Sequence, residues 1–117
     1  MAFDTLTITA LEPSSDAELI LKLVGPLTLT TMFDFRDRLR SETAPIVILD
    51  LSEVPYIDSA GIGAIVNGHV SCANKGRRLA LVAVADRVQM TMKVSRVDSF
   101  LAVYPTVQDA RQAMAGA

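Results

Sequence analysis

In 117 residues the sequence holds one cysteine, one histidine and no tryptophan. Cys72 alone cannot close an intrachain disulfide, so a reducing, cytoplasmic setting is expected. One Cys and one His fall short of the nitrogen and sulfur ligands of a usual zinc site, and nothing else in the chain asks for a metal or a cofactor. An excess of positive charge is missing too: 11 Lys and Arg stand against 13 Asp and Glu. The basic residues come singly or in pairs, with no stripe to follow a phosphate backbone, which speaks against direct nucleic-acid binding. No apolar run approaches the ~20 residues that cross a bilayer, so membrane insertion is not expected. The opening "MAFDTLTITA" lacks a charged segment ahead of an apolar core and does not read as a secretory signal.

What is present describes one α/β domain over residues 1–117. Half the residues are apolar and 21% are charged, the balance of a globular chain. "TLTITAL" (5–11) alternates, with Leu6, Ile8 and Ala10 on one face, and "ELILKLV" (18–24) follows after a short turn-rich link. Together they predict an antiparallel hairpin near a sheet edge. After the break "GPLT", Met32, Phe35 and Leu39 recur at helical spacing, and Thr31 with Asp34 has the form of a capping box. "IVILDL" (46–51) is apolar on both faces and predicts a central strand. A helix from Ser59 to about residue 75 carries Ile62, Ile65, Val66 and Ala73 on one side and stops at Gly76. "LALVAV" (79–84) and "FLAVY" (100–104) are further strands. Asp86 reads as the cap of a helix over 87–96, and a last helix from Thr106 turns Val107, Ala110 and Met114 inward. The order β-β-α-β-α-β-α-β-α predicts a mixed, mostly parallel sheet covered by four helices.

The chemistry concentrates in "YIDSAGIGAIV" (56–66), where a strand gives way to a helix. A nucleophile elbow needs Gly-x-Ser-x-Gly, but Ile57 stands where the first glycine belongs. The only histidine, His69, lies ten residues on, about 15 Å along a helix, so it cannot activate Ser59 as a base. It reads as a partly buried helix residue, and Cys72 as a small apolar filler. There is no phosphate-binding loop with its lysine, and Gly61 and Gly63 give only a Gly-x-Gly fragment. Asp58 or Ser59 can cap the helix, an arrangement that contributes about 1 kcal/mol. Two early glycines make a helix start that is poor on propensity. Bare backbone there suits docking by another protein, with Tyr56, Ala60 and Ile62 as an apolar rim.

"VILDLSEV", then "DSAGIG", then "RRLALVAV" resemble the STAS family, which includes the bacterial anti-sigma factor antagonists. The resemblance spans nearly the whole chain in element order. Its most specific part is "DSAGIG", similar to the family pattern Asp-Ser-(Ser/Thr/Ala)-Gly-(Leu/Ile)-Gly. It implies a small non-enzymatic α/β domain that binds an anti-sigma factor, itself a serine kinase, and so frees a sigma factor for transcription. It further implies phosphorylation of Ser59 by that kinase, release of the partner, and a serine phosphatase that resets the switch. Partner contacts are then expected at Thr28, Tyr56, Asp58, Ser59, Ala60, Gly61 and Ile62. Many phosphorylated members read Gly-Glu-Leu-Asp after the second strand, whereas this chain reads "GPLT", with Pro26 for Glu and Thr28 for Asp. The departure leaves a second expectation open: an unphosphorylated STAS subunit of a larger assembly, such as a stress-signalling scaffold or a lipid-transport accessory.

Overall fold

In the computed structural model, which describes residues 5–115, five strands and four helices follow in the expected order. They are β1 (Thr7–Leu11), β2 (Glu18–Val24), α1 (Met32–Arg40), β3 (Ile46–Glu53), α2 (Ser59–Asn74), β4 (Arg78–Val82), α3 (Asp86–Val94), β5 (Ala102–Tyr104) and α4 (Val107–Ala115). The remaining positions of the one-domain reading, 1–4 and 116–117, lie outside the described residues.

The strands lie side by side in chain order in one sheet. β1 pairs antiparallel with β2, from Thr7 opposite Val24 to Leu11 opposite Ile20, while β2, β3, β4 and β5 run parallel. β3 is therefore central and β1 is an edge, as the apolar patterns predict. Along β3 the side chains alternate between two cores, because successive residues of a strand point to opposite faces. Val47, Leu49 and Leu51 pack with Phe35, Ile65 and Val88 under α1, α2 and α3. Ile48 joins Ile20, Ala80, Val82, Ala110 and Met114 under α4. No helix among the described residues is long and apolar enough to cross a membrane.

A buried ion pair ties the start of β2 to α4. Glu18 is buried, and its carboxylate accepts from Nε and Nη2 of Arg111, the shortest contact being 2.7 Å, and from the amide and hydroxyl of Ser14. Bonding to the Arg111 guanidinium holds the Glu18 carboxyl below its ordinary pKa against the opposing effect of burial.

Several local expectations are corrected by tertiary contacts. Thr31 makes no capping box: its backbone is already near-helical, and its hydroxyl turns back to donate to the Pro26 carbonyl at 2.8 Å. Asp86 is the first residue of α3 and not its cap; Ala85 holds that position with no side-chain bond. Ala73 is exposed, and Cys72 fills the inward position beside it. Ala10 is exposed on the edge strand, while Leu6 and Ile8 pack against the core as expected. β4 stops at Val82 because Ala83 takes a positive φ of 55° and leaves the extended region.

Candidate functional site

Parallel strands deliver their following helices from one edge of the sheet, so the starts of α1, α2 and α3 gather there. Two loops build this edge: residues 25–31 after β2 and residues 54–58 after β3. They continue the parallel pairing of their strands through an isolated bridge between Leu27 and Ile57. The Leu27 amide donates to the Tyr56 carbonyl, and the Asp58 amide donates to the Leu27 carbonyl, both at 3.3 Å. Gly25 permits the first turn. Its φ is +113°, and a side chain there would overlap the Thr5 carbonyl.

Asp58 is the joint between the loops. It is the N-cap of α2, and Oδ1 accepts from the Gly61 amide at 2.9 Å. Its second oxygen, Oδ2, accepts from the Leu29 amide at 3.0 Å. One carboxylate therefore caps a helix and fastens a loop 29 residues away in sequence. Of the two capping candidates in the sequence, the cap is Asp58. Ser59, the first residue of α2, is exposed, and its hydroxyl makes no hydrogen bond among the described residues. The amides of Ser59 and Ala60 likewise have no acceptor there, as expected of a helix start.

The other expected site residues divide by burial. Thr28 is 9% exposed, and its hydroxyl lies 3.1 Å from that of Thr30 while its amide donates to Thr31 Oγ1 at 2.9 Å. Its carbonyl accepts from Met32 at the start of α1. Ala60 and Tyr56 are half-buried, and the Arg87 guanidinium lies 5.4 Å from the Tyr56 ring centroid. Ile62 is only 6% exposed and belongs to the core, so it adds nothing to an apolar rim. Gly61 is buried as well. A Cβ there would overlap the Leu27 carbonyl oxygen and stand 2.7 Å from Ile57 Cγ1, so this glycine serves close packing of the two loops and not a bare docking surface. Gly63 has nothing within 4 Å of the same construction.

Two residues missed by the sequence reading complete the edge. Leu29 is 60% exposed beside Asp58, and Phe33 is 47% exposed in the first turn of α1 with the Arg36 guanidinium 4.9 Å from its ring centroid. Phe33 falls off the inward stripe of Met32, Phe35 and Leu39, and that mismatch was the available signal. His69 lies further along α2 and packs edge-on against Phe100 at 4.8 Å between ring centroids, away from Ser59. The site thus offers an exposed hydroxyl with no hydrogen-bond partner among the described residues, next to the Asp58 carboxylate, whose two oxygens are both engaged.

Comparison with known proteins identifies the family and the fold. Residues 8–110 match the family model of the STAS domain. A candidate anti-sigma factor antagonist of Thermotoga neapolitana is 33% identical over 70 residues, which are 60% of this chain and 62% of that protein. The chain thus spans less than two thirds of that relative's length. The crystal structure of a candidate anti-sigma factor antagonist from Thermotoga maritima superposes with a TM-score of 0.81 at 24% identity, covering 92% of this chain and 94% of the other. The unphosphorylated form of the anti-sigma factor antagonist SpoIIAA gives 0.75 at 15% identity, covering 95% and 98%. With the matched region taking in all five strands and the start of α4, the chain belongs to the STAS family.

Proposed function

We propose that this protein is an anti-sigma factor antagonist whose partner is a kinase-type anti-sigma factor, and that phosphorylation of Ser59 releases that partner. The carrying observation is the exposed, unengaged Ser59 hydroxyl at the first position of α2, next to Asp58, whose carboxylate holds the loop that carries the exposed Leu29. The names of the relatives give the same direction. In this reading the protein has no catalytic activity of its own, works in the cytoplasm, and is reset by a serine phosphatase.

The electrostatics of the helix start fit such a switch. A phosphate on Ser59 adds about −1.5 to −2 charges. The amides of Ser59 and Ala60 and the positive end of the α2 dipole receive it, so the fold tolerates the change. A partner docked over Leu29 and Tyr56 meets that charge next to the Asp58 carboxylate, and desolvation and repulsion then weaken the contact. A loss of ~2–3 kcal/mol lowers affinity by roughly thirty- to a hundred-and-fifty-fold.

The test is incubation with the cognate anti-sigma kinase and ATP, read by intact mass. One phosphate is expected on the wild type and none on Ser59→Ala. Calorimetric titration against the same partner is expected to give equal affinity for wild type and Ser59→Ala and weaker binding for Ser59→Asp. No mass gain with a demonstrably active kinase would assign the chain to STAS subunits that bind without this switch. Equal affinity for wild type and Ser59→Asp would remove Ser59 from the interface.

A further inference from the structure

At the far end of α1 and α2 from Ser59 lies a groove that the partner-binding reading does not use. Ala64, Gly68 and Cys72 recur every fourth residue on the side of α2 that faces α1. A Cβ on Gly68 would stand 2.9 Å from Leu39 Cδ1, so the glycine lets Leu39 settle low between the helices. Above this apolar floor is a cavity of about 280 Å³. Its walls carry four cations, Arg36 and Arg40 from α1, Lys75 at the end of α2, and Arg77 just before β4.

Among the described residues no carboxylate lines this cavity. Arg40, Lys75 and Arg77 have no ion-pair partner among the described residues, and Arg36 reaches only the exposed Asp37, at 4.0 Å. Arg38, by contrast, holds Glu42 at 3.0 Å and does not line the groove. The Arg77 guanidinium is fixed along its Nε–Nη2 edge, where Nε donates to the Ala44 carbonyl at 2.7 Å. Cations near helix C-termini complement the macrodipole, which accounts for their sign. It does not account for their gathering around one apolar floor with no carboxylate among the described lining residues.

From four cations that face no carboxylate around an apolar floor we infer that the α1–α2 groove binds a small organic anion. The anionic end is a phosphate or carboxylate, the groups that a guanidinium fork fits. The other end is a compact apolar body seated on Leu39 and Cys72. Ligand pockets for drug-sized molecules run to roughly 300–1,000 Å³, so a compact ligand suits this one. The groove shares Arg36 with the edge that carries Ser59, but Arg40, Lys75 and Arg77 are not part of that edge.

The experiment is an amide-resolved NMR titration of the full chain, following Asn67, Gly68 and Ser71 with four probes: phenyl phosphate, benzoate, inorganic phosphate and benzyl alcohol. Saturable shifts centred on these amides are expected with phenyl phosphate or benzoate, and the ranking of the two tells which anion the groove prefers. Inorganic phosphate and benzyl alcohol, each with half of the recognised chemistry, are expected to bind about tenfold more weakly. The double variant Arg40→Gln, Lys75→Gln is expected to lose about tenfold in affinity for the best probe. Both residues are exposed and make no side-chain bond among the described residues, so that loss is separable from misfolding, which the dispersion of the same spectra reports. Non-saturating shifts, shifts centred elsewhere on the surface, or an unchanged double variant would show an adventitious ion only and overturn the assignment.

Discussion

The two ends of α2 are built on opposite plans. At its start every packing and backbone feature is committed: Asp58 divides its oxygens between Gly61 and Leu29, and the Leu27 carbonyl presses on Gly61. Only the Ser59 hydroxyl and the first amides stay free. At its far end, small residues keep α1 and α2 from filling the space between them, and four cations around it lack close carboxylates. The same helix thus has one end rigidly placed around a single unengaged hydroxyl and another end left open. A modification site that must leave the fold intact needs the first plan; a groove that takes a guest needs the second. The difference is made by residues of one size class, because Gly61 and Gly68 each serve a close approach, to backbone in one case and to the tip of a leucine in the other.

The strongest way to break the committed end is Gly61→Ala. Its new methyl group meets main chain, which cannot swing aside, so the two loops must separate. A loss of about 3 kcal/mol is expected, the upper part of the range for overpacking. Gly63→Ala, two residues on in the same helix, meets open space and is expected to stabilise by about 0.5–1 kcal/mol through lower backbone entropy of the unfolded chain. Urea midpoints of the two variants check both signs. Equal effects at 61 and 63 would mean that only helix propensity is at work and that the packing of Leu27 on Gly61 is unimportant.

Asp58 comes next. Asp58→Ala removes the cap and the tie to Leu29 together and is expected to cost about 1–2 kcal/mol. Asp58→Asn separates the two roles, because an amide keeps one acceptor oxygen but turns an NH2 group toward the second donor. About half the loss is expected, with the cap on Gly61 retained and the loop released. Hydrogen exchange at the Leu29 amide reads this directly: it should quicken in both variants. Unchanged exchange at Leu29 would show that residues 25–31 are held by the Leu27 pairing alone.

How much of this could be read from the chain follows the range of each interaction. Elements with a full period of apolar residues were legible, and so were the central position of 46–51, the hairpin of the first two strands and the helix start at Ser59. Those features depend on patterns within ten or so residues. The capping assignment at Thr31 failed because its hydroxyl turns back to the Pro26 carbonyl, and that at Asp86 because α3 begins one residue earlier than the sequence suggests. Ala73 failed because a small apolar residue at the margin of a helical stripe is buried or exposed according to what packs opposite. At the site, the pattern "DSAGIG" marked Asp58 and Ser59, but nothing nearby shows that Asp58 reaches Leu29. The role given to Gly61 was wrong for the same reason, since Leu27 lies 34 positions earlier. Exposure of Phe33 was readable from its place off the apolar stripe, whereas that of Leu29 depends on how the loop is tied down.

The smallest expected effect sharpens the contrast most. Ser59→Ala removes an exposed hydroxyl with no partner among the described residues and leaves both oxygens of Asp58 engaged. Surface changes of this kind usually stay within about 0.5 kcal/mol. Alanine is also the better helix former, which offsets any weak local bond the serine makes with solvent-facing amides. An unfolding midpoint indistinguishable from wild type is therefore expected, together with complete loss of the phosphate gained from the cognate kinase. Those two outcomes together would mark Ser59 as a residue held for its chemistry and not for the fold, as the proposed switch requires. A loss of more than about 1 kcal/mol in Ser59→Ala would instead make the hydroxyl a second cap shared with Asp58. Phosphorylation would then strain the start of α2, and release of a partner would have to come through local unfolding rather than through charge.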